Sequence, residues 1–223
     1  MAADLLATIE LETRPNPDAA VIWMHGLGAD GNDFVPIVEE LDLPLERGIR
    51  FIFPNAPMRP VTINGGAVMR AWYDIVGSDL TNRGDEPGIR DSQQRIEQLI
   101  AREKARGLAA SRLLLAGFSQ GGVIALQTGL RHPERLAGIM ALSTYLALPN
   151  AIAAEAHPAN ADLPIFMAHG TGDSVIRPEW ADASRRALQA KGYPLEWHTY
   201  PMQHSVCIEE VRDIGAWLKR VLG

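Results

Sequence analysis

Short apolar runs alternate with amphipathic stretches along the whole chain. Ala19 to Met24, Arg50 to Phe53, Leu113 to Ala116, Leu136 to Leu142 and Pro164 to Ala168 are apolar runs of strand length. The first is uninterrupted and stops at glycines, the character of a central parallel strand buried on both faces. Leu5 to Glu12 and Leu195 to Tyr200 alternate in polarity; the former reads as an edge strand. Met69 to Asp74 is short, aromatic and strand-like.

Helical spacing fills the intervals between these runs. Phe34 to Leu41 is predicted as a helix with Pro36 in its first turn. Asp91 to Arg106 places Ile96, Leu99 and Ile100 on one face and ends at Gly107. A further helix runs from the turn at Ser119 to Arg131, and another from Pro178 to Lys191, stopped by Gly192. Val206 to Leu222 spaces Ile208, Val211, Ile214, Trp217, Leu218 and Val221 for one buried face. Two stretches, Asn55 to Arg90 and Ser143 to Leu163, lack clear periodicity; loops of that length are usually functional or partly structured. The strand–helix alternation predicts an α/β fold: a mainly parallel central sheet with helices on both faces. No composition break, repeat or low-complexity tract divides it, so residues 1–223 read as a single domain.

Composition narrows the class further. The 223 residues are 47% apolar and 22% charged, enough for a sizeable core and unlike a disordered chain. A net charge of −6 argues against a general nucleic-acid binder. The lone cysteine, Cys207, excludes an internal disulfide and fits a reducing compartment. Met1 to Asp18 carries Asp4, Glu10 and Glu12 and lacks the cationic start and apolar core of a secretory signal. No apolar run approaches the ~20 residues needed to cross a bilayer. A cytoplasmic location is the expectation.

The candidate chemistry begins at Gly117-Phe118-Ser119-Gln120-Gly121. A strand enters this turn and a helix leaves it, which is the setting a G-x-S-x-G nucleophile elbow requires. A serine hydroxyl needs a base to take its proton, and the base needs an orienting acid. In an open α/β sheet such groups collect at the carboxyl ends of strands. Asp173 follows the strand ending at Ala168, and His204 follows the strand ending at Tyr200. Ser119, Asp173 and His204 thus occur in α/β-hydrolase order.

Both assignments have rivals. Asp162 precedes its strand and Asp182 lies on a helix, but Asp74, in the long loop, is a serious alternative to Asp173. Among the histidines, His25 and His169 each follow a buried strand and are expected to hold loop backbone, and His132, His157 and His198 sit elsewhere. An oxyanion hole needs two N–H donors. Gln120, following the nucleophile, supplies one; Leu27, in the glycine-rich loop His25-Gly26-Leu27-Gly28, is the best candidate for the other. Cys207 is not in the elbow, no cluster has metal-ligand spacing, and no phosphate-binding glycine motif follows a strand, so no cofactor or metal is expected.

Six motifs occur in family order: Met24 to Gly31, Pro57 to Thr62, Trp72-Tyr73-Asp74, Gly117 to Gly122, His169 to Asp173 and Met202 to Ser205. On these the chain resembles the phospholipase/carboxylesterase family, which includes acyl-protein thioesterases and small bacterial carboxylesterases. The resemblance spans nearly the whole chain. It implies an α/β-hydrolase fold with no large lid domain, acting on acyl esters or thioesters. It also implies Ser119 as nucleophile, His204 as base, Asp173 as orienting acid and a structural Asp74. It places the loop around Trp72 near an acyl-binding groove, with Trp72, Met69 and Val175 as expected substrate contacts. The expected partner is a small acyl ester or thioester, with an acylated protein or lysophospholipid as alternatives; a homodimer is compatible with the reading. A dienelactone-type hydrolase, which favours cysteine at the elbow, and a non-catalytic binding protein are the other readings.

Overall fold

The computed structural model describes residues 5–43, 48–77 and 85–223. In chain order the strands are β1 (Thr8–Glu12), β2 (Ala19–Met24), β3 (Ile49–Pro54), β4 (Met58–Val61), β5 (Ala67–Arg70), β6 (Leu113–Phe118), β7 (Gly138–Leu142), β8 (Ile165–Gly170) and β9 (Leu195–Tyr200). The helices are α1 (Ile37–Glu40), α2 (Glu86–Ala105), α3 (Gln120–Gly129), α4 (Ile152–Glu155), α5 (Pro178–Gln189) and α6 (Ile208–Leu222).

A seven-stranded sheet runs in the order β1-β3-β2-β6-β7-β8-β9. β1 pairs antiparallel with β3, and every other neighbouring pair is parallel. The expected edge strand and the mainly parallel sheet are therefore both present. Successive side chains of a strand point to opposite faces, and that period sorts the core into two halves. Ala20, Ile22 and Met24 join one cluster with Ile96, Leu99 and Ile100 of α2, Val123 of α3 and Leu188 of α5. Ala19, Val21 and Trp23 join the other, with Val38 of α1 and Val211, Ile214, Trp217 and Leu218 of α6. Helices thus cover both faces, which is why β2 shows no polar position at all.

Helix α2 starts at Glu86, five residues before the expected Asp91, because Pro87 and Gly88 read as loop formers. Asp85 caps the helix instead, its Oδ1 accepting the Gly88 N–H at 2.9 Å, and proline is well tolerated in a first turn. Helix α1 is only one turn, Ile37–Glu40, shorter than the expected Phe34 to Leu41. The strand expected at Met69 to Asp74 lies earlier, at Ala67–Arg70, paired in a hairpin with Met58–Val61. Part of the long loop Asn55 to Arg90, residues 78–84, lies outside the described residues.

Strand order reverses between β2 and β6: from β2 the chain moves to β3 on one side, and β6 to β9 extend on the other. Such a switch point opens a crevice at the carboxyl ends of the two strands. The loop from His25 to Gly28 leaves β2 there, and Ser119 leaves β6.

Candidate active site

Ser119 stands between β6 and α3 with φ 54° and ψ −117°, a conformation that costs a non-glycine residue about 1–3 kcal/mol. The surroundings hold it there. Its N–H donates to Leu142 O at 2.9 Å, and its carbonyl accepts from Thr144 Oγ1 at 2.6 Å. The flanking glycines allow the turn to be this tight. A Cβ on Gly117 would fall 2.2 Å from the backbone of Gly121, and one on Gly121 would fall 2.3 Å from Met24 O. The elbow is therefore packed backbone to backbone against β2.

Ser119 Oγ lies 2.9 Å from His204 Nε2. The opposite ring nitrogen of His204, Nδ1, lies 2.7 Å from Asp173 Oδ2. The other oxygen of Asp173 accepts the N–H groups of Val175 and Ile176 at 2.8 and 2.9 Å. Burial alone would push this carboxyl's pKa up, but the His204 hydrogen bond and the two backbone N–H groups outweigh it and hold the pKa below the ordinary value. An ionised acid thus faces the imidazole, which keeps Nδ1–H toward Asp173 and frees Nε2 to accept a proton. The Phe118 ring, 4.8 Å from the imidazole centre, packs against its side.

The rival carboxylates are occupied elsewhere. Asp74 accepts the Thr62 N–H at 2.7 Å and the Thr62 hydroxyl at 2.5 Å, anchoring the turn after β4. Asp182 pairs with Arg185 along α5, and Asp162 pairs with Arg135. His25 and His169 hold loop backbone, as expected from their positions. His25 Nε2 accepts the Ala56 N–H at 3.1 Å, so Nδ1 carries the proton toward Gly26 O at 2.6 Å. Burial holds its pKa down and keeps it neutral. His169 reaches Ile176 O at 2.8 Å and so braces the loop that carries Asp173.

A cavity of about 260 Å³ opens beside these groups, lined by Ser119, His204, Leu27 and Gln120 among others. Both expected oxyanion donors therefore border the cavity that holds the serine. The amides next to Leu27 are engaged: Gly28 N–H donates to Arg70 O and Ala29 N–H to Gly26 O. These bonds pin the loop across from the elbow.

Of the three expected substrate contacts, Val175 lines the cavity and the other two do not. Trp72 is fully buried behind the wall. A buried indole needs an acceptor, and its Nε1–H donates to His25 O at 2.9 Å. Its backbone is held by the side chain of Gln120, whose Oε1 accepts the Trp72 N–H at 2.9 Å and whose Nε2 donates to Tyr73 O at 2.7 Å. Met69 sits in the β4–β5 hairpin, its sulfur facing Asn64 and Gly28. The apolar wall is made instead by Tyr73, Ile75, Tyr145 and Ile176. Tyr73 is adjacent to the motif tryptophan and was within reach of sequence reasoning. Tyr145 lies in an aperiodic stretch with no signal to find it.

Comparison with known proteins agrees with this architecture. The sequence profile of the phospholipase/carboxylesterase family matches residues 7–222. The chain belongs to that family.

Within the family, acyl-protein thioesterase 1 of Mycosarcoma maydis is 37% identical over 98% of both chains. Acyl-protein thioesterase 1 of Neurospora crassa is 40% identical over 90% of this chain and 85% of its own. Among solved structures, Arabidopsis thaliana SOBER1 superposes with a TM-score of 0.86 at 30% identity, covering 92% of this chain and 99% of its own. Zea mays acyl-protein thioesterase 2 does so at 0.85 and 28%, covering 97% and 99%. Family membership makes this chain a hydrolase of the ester and thioester class, built on the family's α/β fold without a large lid. Among the described residues no helix is long and apolar enough to cross a membrane.

Proposed function

We propose that the chain hydrolyses acyl esters and thioesters through a Ser119–His204–Asp173 triad and an acyl-enzyme intermediate. The observation that carries the reading is the hydrogen-bonded sequence from Asp173 Oδ2 through both ring nitrogens of His204 to Ser119 Oγ. His204 Nε2 takes the hydroxyl proton as Ser119 Oγ attacks the acyl carbonyl carbon. The negative charge that forms on the carbonyl oxygen meets the backbone N–H groups of Leu27 and Gln120, assisted by the N-terminal end of α3. His204 then gives its proton to the departing alcohol or thiol. Water, deprotonated by the same imidazole, attacks the acyl-serine and releases the carboxylic acid.

The relatives named acyl-protein thioesterases support thioesters as well as oxygen esters among the substrates. A single cysteine supports a reducing, cytoplasmic setting. The test is a panel of p-nitrophenyl esters, acyl thioesters and aminoacyl amides, run alongside labelling with a fluorophosphonate probe. Turnover of esters and thioesters, with labelling that vanishes in Ser119→Ala, is the expected result. A folded Ser119→Ala protein that still hydrolyses esters at the wild-type rate overturns the assignment.

A further inference from the structure

We propose that the hydroxyl-linked pair Tyr73 and Tyr145 closes the inner end of the cavity beside Ser119 and restricts the enzyme to short and medium acyl groups. The proposal rests on the hydrolase reading of Ser119 and names the substrate class of that site.

The cavity has a graded wall. Val175 is 50% exposed and marks the solvent side, whereas Tyr73 and Tyr145 are 1% and 3% exposed and mark the inner side. Their hydroxyls meet at 2.9 Å. One ring comes from the segment after β5 and the other from the segment after β7, so the link joins two separate segments of the cavity wall. Two phenolic hydroxyls in an otherwise apolar wall are costly to bury apart, and each supplies the other's partner.

The backbone that carries each ring is tied down. The segment carrying Tyr73 is held at three points: Gln120 Nε2 to Tyr73 O, Trp72 N–H to Gln120 Oε1, and the Ser92 hydroxyl to Trp72 O. On the other side, Leu146 N–H donates to Ser184 Oγ at 2.8 Å, one residue after Tyr145. The pair is a fixed wall on two braced loops, so an acyl chain that reaches it has to stop or turn back toward water.

The size sets the limit. A cavity of 260 Å³ lies just below the roughly 300–1,000 Å³ of sites that enclose drug-sized ligands. The acyl groups proposed to end at this wall are butyryl to octanoyl. A lauroyl or palmitoyl chain leaves its outer methylenes in water and gains nothing from them.

The experiment measures kcat/KM for acetyl, butyryl, octanoyl and lauroyl p-nitrophenyl esters below their aggregation limits, for wild type, Tyr145→Ala and Tyr73→Phe. The wild-type value is expected to hold or rise to octanoyl and fall at least tenfold at lauroyl. Tyr145→Ala opens the wall and is expected to raise the lauroyl-to-butyryl ratio at least tenfold. Tyr73→Phe keeps the ring, breaks the hydroxyl link and is expected to raise that ratio about threefold, which serves if the alanine variant does not fold. A wild type that prefers lauroyl, or a ratio unchanged in every folded variant, overturns the proposal. Fluorophosphonate labelling of the same samples separates the two readings: absent labelling overturns the hydrolase reading, and intact labelling with a failed chain-length profile overturns the wall alone.

Discussion

Ser119 and His204 lie 85 residues apart in sequence and 2.9 Å apart at Oγ and Nε2. Neither residue makes this contact locally. Ser119 is presented by a strained turn wedged between β6 and α3, and His204 by the loop after β9, three strands away across the sheet. What joins them is parallel pairing, which brings the carboxyl ends of the strands to one edge.

Asp173→Asn leaves the shape of the site and removes the charge that fixes the imidazole. By analogy with the serine-protease case, kcat is expected to fall by about 10⁴-fold through the wrong tautomer. Stability should respond as well. The folded pKa lies below the unfolded value of about 3.9, so the ionised carboxylate stabilises the fold above that pH, and the contribution is lost as pH falls through the folded pKa. Melting curves of the variant should therefore lie below wild type at neutral pH and converge with it in acid. Equal kcat for both proteins would show that another group orients His204.

Glu210 gives the opposite sign. It is fully buried on α6, and desolvation pushes its pKa up to about 8, only partly offset by the Cys207 N–H at the helix start. An acid bound more tightly to its proton in the folded state stabilises the fold below its unfolded pKa of about 4.3. That stability declines as pH rises and is gone above about 8. Glu210→Gln should match wild type in mild acid and melt higher at alkaline pH, by about 2–4 °C for each kcal/mol of penalty removed. The check is a pair of thermal scans at the two ends of that range; a variant that melts lower at alkaline pH contradicts the assignment.

The side chain of Gln120 is separable from its backbone N–H. Gln120→Leu keeps the oxyanion donor and removes two buried hydrogen bonds, to Trp72 N–H and Tyr73 O. Each lost bond should cost about 0.5–1.5 kcal/mol, read as a lower denaturation midpoint. Substrate selectivity should loosen too, because Tyr73 loses a brace.

Gly121→Ala places a methyl group 2.3 Å from Met24 O, against backbone that cannot rotate away. A loss of about 1–3 kcal/mol is the minimum expected from overpacking, together with reduced labelling of Ser119. Gly192→Ala is a useful contrast. Its added Cβ meets no atom within 4 Å, although its φ of 85° still carries strain, so it should melt lower while labelling normally.

The periodic elements were legible along the chain because burial on two faces leaves an unmistakable local record. An apolar run such as Ala19 to Met24 can be accommodated only inside a covered sheet, and Gly117 and Gly121 bracket a serine only where strand and helix meet. Ser119, Asp173 and His204 could be named on the same grounds, since each follows a strand. What stayed hidden were relationships between loops. Trp72 looked like a groove residue, but its indole found a buried carbonyl at His25 and turned inward, leaving Tyr73 and Tyr145 to line the wall. Asp173 was favoured by its place after a strand, with Asp74 as the serious rival, and hydrogen bonding ties Asp74 to Thr62 and Asp173 to His204. Loop contacts depend on which segments the sheet order brings together, and strand order is set by long-range pairing that leaves no periodic trace in the chain.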